Sequence, residues 1–257
     1  MYENIDKKTM IKTLFGCEVE DIKEDVIISP IWSLNSFTEK AEKIIKHFKG
    51  WYKGVALTYK GKDITVINSC IGAPLTGDCV IALGYTSCKN ILFSGSAGGI
   101  NGLYNFGDIV VSDCAIIGEG FSRFHKKDFK EDCFGEEVYG SKALADILFN
   151  KSNDYVGGMG ISVYKGKVFS TDSILGENKK SFGFMMEKGC DGVEMELSAV
   201  FTASKAIGRN AAGLITISDL PLKYKSLFEG VKEKDIKAYE DSARMLPEIL
   251  MEAVLDI

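Results

Sequence analysis

The chain has 257 residues, 46% of them apolar, with 31 basic against 36 acidic side chains and a formal charge of −5. That is enough apolar material for a sizeable core, so a mainly disordered chain is excluded and a single α/β domain over residues 1–257 is expected. No long basic block is present, which speaks against nucleic acid as a partner.

Seven cysteines (Cys17, Cys70, Cys79, Cys88, Cys114, Cys133 and Cys190) are scattered with no CxxC pair. They read as reduced thiols packed as small apolar groups. Only His47 and His125 offer imidazole, neither in metal-ligand spacing, so no metal site is expected. The opening stretch "MYENIDKKTMIKTLFGC" is charged and lacks the apolar segment of a signal peptide. No apolar run reaches the roughly 18 residues that span a bilayer. A cytoplasmic protein without membrane contact is expected.

In chain order, "VALTYKGKDITVIN" (Val55 to Asn68) has β-rich runs on both sides of a Lys-Gly turn and predicts a hairpin. Asp78 to Tyr85 predicts a helix. "NILFS" (Asn90 to Ser94) predicts a short buried strand that runs into the glycine-rich "GSAGGING", and "FGDIVVSDCAII" predicts another buried strand. "KVFSTD" is strand-like, and "NKKSFGFMMEKG" is a helix with a glycine stop. "AAGLITISD" (Ala211 to Asp219) is a strand with polar residues at its C-terminal end. From Lys234 to Leu255 apolar residues recur at helical spacing, with Pro247 expected to kink or break the helix. Strands alternating with helices predict a mixed, largely parallel sheet, with ligands beyond the carboxyl ends of its strands.

Three polar stretches fall at such ends. "SGSAGGI" (Ser94 to Ile100) can turn tightly and present successive N–H groups as an anion nest, with the Ser96 hydroxyl as a further donor; an ordinary tight turn reads equally well. Ser218 and Asp219 end an apolar strand, where desolvation should raise the Asp219 pKa and suit it to general-acid work. The same aspartate could instead cap the turn that opens at Pro221. In "GVEMELSAVFTAS" (Gly192 to Ser204), an extended entry would put Glu194 and Glu196 on one side and Val193 and Met195 on the other. Leu197, Val200, Phe201 and Ser204 then follow a helical core stripe. The two acids could complement that helix dipole, or accept both hydroxyls of a sugar cis-diol while Met195 packs on the ring.

Together "YKGKDITVINSCIGAP", "ILFSGSAGGINGLYNFGDIVVSD", "GKVFSTD…GVEMELSAVF" and "LITISDLPL" resemble the nucleoside phosphorylase and nucleosidase superfamily. The resemblance implies a single-domain, three-layer α/β fold around a distorted mixed β-sheet, assembled as a homo-oligomer, either a dimer or a hexamer. It implies cleavage of the N-glycosidic bond of purine nucleosides, with phosphate as co-substrate and no cofactor. Met195 and Glu196 would line the ribose, with Glu194 close by. Asp219 would protonate or hydrogen-bond N7 of a purine. Gly95, Ser96 and Gly98 would hold phosphate or a nucleophilic water, and Ile174 and Ser218 would lie at the base. Lys232 sits about where phosphorylases keep an arginine that assists the aspartate.

Two departures bear on the nucleophile. Phe93 and Asn35 stand where trimer-of-dimers purine phosphorylases carry phosphate-clamping arginines, so phosphate would be left to the loop amides, Ser96 and a lysine from Lys46 to Lys53. Arginines at both positions would be expected to restore the clamp. None of Ser29 to Ser36 is the glutamate that holds water in methylthioadenosine nucleosidases. "GEGFS" (Gly118 to Ser122) and the stretch Ser218 to Lys232 resemble AMP nucleosidases. Phosphorolysis is the first expectation, hydrolysis the second, and a non-catalytic nucleoside-binding relative the third.

Overall fold

The computed structural model describes residues 5–126, 128–226 and 228–257. Residues 1–4, at the head of the charged N-terminal stretch, and residue 227, inside the stretch 218–232, fall outside these. The first half of the chain forms α1 (Lys7–Phe15), β1 (Asp25–Ile28), a single turn α2 (Asn35–Thr38), β2 (Lys43–Lys49), β3 (Lys53–Tyr59) and β4 (Lys62–Asn68). There follow α3 (Ala73–Leu83), β5 (Asn90–Gly99), β6 (Ile109–Ser112), β7 (Cys114–Gly118), β8 (Glu137–Tyr139) and α4 (Lys142–Val156). The chain continues through β9 (Val163–Lys165), β10 (Val168–Thr171), α5 (Lys179–Glu187), β11 (Gly192–Glu194), α6 (Leu197–Ala206), β12 (Asn210–Asp219) and α7 (Glu233–Val254).

One mixed sheet carries the fold, in the order β2-β3-β4-β1-β5-β11-β10-β7-β8, with a branch in which β12 pairs with β5 and β6, and β6 with β9. Successive side chains of a strand point to opposite faces, and both faces here are buried. Ile91 and Phe93 of β5 join the core under α1, α3 and α6, whereas Leu92 joins the core under α4 and α7. The result is three layers, helix, sheet and helix.

The hairpin is the β3–β4 pair, closed by Lys60 (φ 46°) and Gly61 (φ 79°). Two consecutive positive φ values are what a tight two-residue turn between twisted strands requires. Four expectations change. The helix expected from Asp78 begins at Ala73, because Pro74 is accommodated in the first turn of α3, where no N–H is needed. "FGDIVVSDCAII" is two strands broken at Asp113: β6 pairs with β12 and β7 with β10. Pro247 lies inside an unbroken α7, which forgoes only its bond to the Ala243 carbonyl and keeps Leu246, Pro247 and Leu250 in the core.

The fourth change matters most. "SGSAGG" is neither a turn nor a nest, since β5 runs through it to Gly99 and none of Gly95, Gly98 and Gly99 has a positive φ. Along one edge β5 is paired with β12 from Asn90 to Gly98. On the other edge β1 pairs only as far as Phe93, and β11 pairs only at Gly98 and Gly99. Among the described residues, no strand is bonded to that edge over residues 94–97.

Candidate active site

A cleft of about 650 Å³, including its open mouth, lies over that unpaired edge. Its walls come from the carboxyl ends of parallel strands: Pro30 and Ile31 after β1, Ile71 after β4, residues 95–98 of β5, Thr171, Ile174 and Glu177 after β10, Val193 to Glu196, and Ser218 and Asp219 of β12. This is where an open α/β sheet collects ligands.

β11 ends at Glu194, so the two glutamates do not share a strand face. Glu194 is buried and accepts from the Ser170 hydroxyl and from the amides of Glu196 (2.7 Å) and Leu197 (2.8 Å). Those amides belong to the opening of α6, so Glu194 satisfies donors that a helix N-terminus leaves unpaired. Its oxygens are committed to the protein. Glu196 occupies the N-cap position of α6 without capping it; its carboxylate crosses to the Gly72 amide at 2.6 Å. Glu196 lines the cleft next to Met195.

Behind α6 lies a buried network that fixes its position. Glu119, in "GEGFS", accepts from Ser198 (2.9 Å) and Ser122 (2.5 Å), and Ser122 meets Thr202 at 2.9 Å. The sequence singled out this stretch without giving Glu119 a role.

Opposite, the β5–β12 register slips between Ile217 and Asp219, so Ser218 is bulged. A bulge re-aims the next side chain. Asp219 is 7% exposed, and its Oδ1 accepts from the Ser218 hydroxyl at 2.8 Å. A Cβ on Gly98 would lie 3.4 Å from that oxygen and 3.2 Å from Val193, so glycine keeps the strand backbone close to the acid. The N-cap position of the turn at Pro221 is held by Leu220 and not by Asp219.

Beside Ser96 stands the half-buried Tyr239 side chain of α7. Burial raises the pKa of that tyrosine, so it stays neutral. Trp32 lies 6.4 Å from Tyr239, ring to ring, and donates through Nε1 to Ser94 at 3.0 Å. No lysine or arginine lines the cleft among the described residues. Lys46 is paired with Asp21, and Lys49 and Lys53 do not reach the cleft. Lys232 is exposed at the N-cap of α7, outside the walls. Phe93 is 1% exposed inside the α1/α3/α6 core, and Asn35 is an exposed residue of α2. Neither position opens on the cleft, so arginines there would bury a charge or point elsewhere instead of restoring a clamp.

Gly95, Ser96, Gly98, Ile174, Glu194, Met195, Glu196, Ser218 and Asp219 thus lie around one cleft, and Lys232 does not. Sequence reasoning missed Tyr239, Trp32 and Glu177. Glu177 is half-buried in the cleft wall, its carboxyl has no hydrogen bond among the described residues, and burial followed by the Asp219 charge pushes its pKa to about 7. Burial likewise drives both Glu194 and Glu196 upward.

The family model of the phosphorylase superfamily matches residues 18–251. A purine nucleoside phosphorylase DeoD-type from Exiguobacterium sp. is 28% identical over 215 residues, 79% of this chain and 84% of that protein. One from Shewanella frigidimarina is 31% identical over 174 residues, 65% of this chain and 67% of that protein. Among solved structures, uridine phosphorylase from Vibrio fischeri superposes with a TM-score of 0.78 at 23% identity, covering 97% of this chain and 99% of that one. Purine nucleoside phosphorylase from Toxoplasma gondii gives 0.70 at 20% identity, covering 91% and 92%. These structures share the fold. No helix among the described residues is long and apolar enough to cross a membrane.

The two glutamates should separate on mutation. Glu194→Gln places an NH₂ among three donors and should cost about 1–3 kcal/mol of stability, whereas Glu196→Gln should leave the thermal midpoint nearly unchanged. Equal loss of stability in a melting experiment would contradict the division of roles. The acids also set a pH dependence. Glu177 has a folded pKa of about 7, above the ordinary glutamate range. The folded state therefore holds the extra proton, and stability is highest at low pH and lost as pH rises through the folded pKa. The melting temperature should fall between about pH 5 and about pH 8, and fall less in Glu177→Gln. Identical pH profiles for the two proteins would remove Glu177 as a contributor.

Proposed function

The chain belongs to the phosphorylase superfamily, and we propose that it cleaves the N-glycosidic bond of purine nucleosides, transferring the ribose to phosphate. The observation that carries this reading is the pairing of Glu196 and Asp219 across β5, one acid on each side of the open strand edge. Glu196 accepts the 2′ and 3′ hydroxyls of the ribose, and Met195 packs on the sugar. Asp219, held by Ser218, protonates or hydrogen-bonds N7. The bond breaks through an oxocarbenium-like sugar whose leaving base must take up electron density, so an acid at the base lowers the barrier. The open edge at Gly95 and Ser96, with Gly98 at its end, receives the nucleophile, and Ile174 lies against the base. No cofactor is needed, and the protein works as a homo-oligomer, a dimer or a hexamer, in the cytoplasm.

Hydrolysis is the second reading, and one observation favours it. Glu177, Glu194, Glu196 and Asp219 line a cleft to which no lysine or arginine contributes among the described residues. Hydroxyls and amides hold a water readily and an anionic phosphate weakly.

Asp219→Asn should depress turnover of purine nucleosides by about 10²–10⁴-fold and that of a nitrophenyl riboside much less, because the latter leaves without a proton. Equal loss on both substrates would make Asp219 a scaffold. For the nucleophile, release of free base from adenosine and inosine should be measured against phosphate concentration. The expected result is a high apparent KM for phosphate with slow base release in its absence. Tight, saturating phosphate dependence would rule out a neutral anion site, and indifference to phosphate would establish hydrolysis.

A further inference from the structure

Among the described residues, only two buried side-chain polar atoms lack a hydrogen-bond partner, the Ser204 Oγ and the Arg209 Nε. Both residues line the same cavity, of about 450 Å³ including its open mouth. Buried polar atoms are nearly always satisfied, and each exception costs desolvation unless a water or ion completes it. Two in one cavity mark a place where something polar is missing.

The surroundings specify its charge. The cavity lies at the start of β12, beside Asn210 and Ala211, so it is separated from Asp219 by roughly 25 Å of strand. Arg209 and Lys205 line it, neither has an ion pair among the described residues, and no carboxylate is among the lining side chains. Arg209 makes one long side-chain bond, to the Gly208 carbonyl at 3.4 Å. Ser141, the N-cap of the fifteen-residue α4, forms part of the wall, bringing the positive end of that helix to the cavity. The C-terminal end of α6 has the opposite sign, but three of its last four carbonyls are already bonded: Ala203 to the Ile207 amide, Ser204 to the Arg209 amide and Lys205 to the Gly208 amide. Two cations without an ion pair among the described residues, a helix N-terminus and an unpartnered hydroxyl form a set rich in donors, and none of the acceptors beside them (the Asn210 amide oxygen and the hydroxyls of Tyr139 and Ser141) carries a charge.

We infer that this cavity binds a small tetrahedral oxyanion, inorganic phosphate or the phosphate group of a phosphate ester, on Arg209, Lys205 and Ser204. The guanidinium supplies a planar fork of N–H groups, Ser204 donates its hydroxyl, and Lys205 adds a charge at the rim. The site stands apart from the cleft at the other end of β12 and does not depend on the reaction assigned there.

The test is calorimetric titration of the purified full chain, without nucleoside, with inorganic phosphate and separately with ribose 5-phosphate. In the wild type a binding phase is expected that weakens about tenfold or more in Arg209→Gln and less in Ser204→Ala. Base release from nucleosides should be unchanged in both variants. Without anion, Ser204→Ala should melt no lower than the wild type, since it deletes a hydroxyl that has no partner. A response to the ester alone would identify a phosphate monoester as the ligand, and a response to both would identify phosphate itself. Should Arg209→Gln fail to fold, the exposed Lys205→Gln decides the matter by the same comparison. Titrations of both probes that are identical in wild type, Arg209→Gln and Lys205→Gln would overturn the inference and leave a water-filled cavity.

Discussion

Residues 94–97 of β5 have a hydrogen-bonded strand on one edge only, and the chemistry of the cleft depends on keeping the other edge open. An unpaired strand edge inside a domain is costly, because each buried N–H and C=O needs a partner. Here β1 stops at Phe93, and β11 turns away after pairing at Gly98 and Gly99. Glu194 makes that departure possible. By accepting from the Glu196 and Leu197 amides it starts α6 where a longer β11 would have continued along β5. The Glu119 network then clamps α6 from behind. The unpaired backbone of β5 is left for a ligand to complete.

The same arrangement explains why acids gather there. Carboxylates that cap a helix or bridge to a loop amide must sit at the strand ends, which are also the walls of the cleft. Burial then works against their charge, and Glu194 and Glu196 are both pushed toward the protonated form. Amide donors work in the opposite direction and keep the ionised form within reach. A cleft poised in this way can exchange protons near neutrality, which a row of exposed carboxylates could not do.

Local chemistry made part of this legible in the sequence. The Lys60–Gly61 turn, the glycine stop after α5 and the core stripe of α6 follow from short-range patterns, and all three appear. "SGSAGG" did not read as a strand because glycine has poor strand propensity; long-range pairing with β12 overrides that preference. Glu177 was hidden because its entry into the cleft depends on the short turn that follows β10. Tyr239 and Trp32 come from distant segments that only the packed α7 brings to Ser96 and Ser94. Residues near each other in sequence could be grouped into a site, whereas those gathered by tertiary packing could not.

The neutral end of the cleft follows from the same packing. Ile91 and Phe93 face the helices of one layer because strand side chains alternate, so position 93 belongs to the core and not to the open edge. A cation at 93 would have to lie in the core covered by α1, α3 and α6 or force β5 to shift its register. Near Ser94 and Ser96 the chain places two aromatic side chains, Trp32 bonded to Ser94 and Tyr239 beside Trp32. Introducing a clamp would therefore require changes in α7 and in the loop after β1 together with those at the strand. The absence of positive charge at this end is a property of how three layers meet, and no single substitution reverses it.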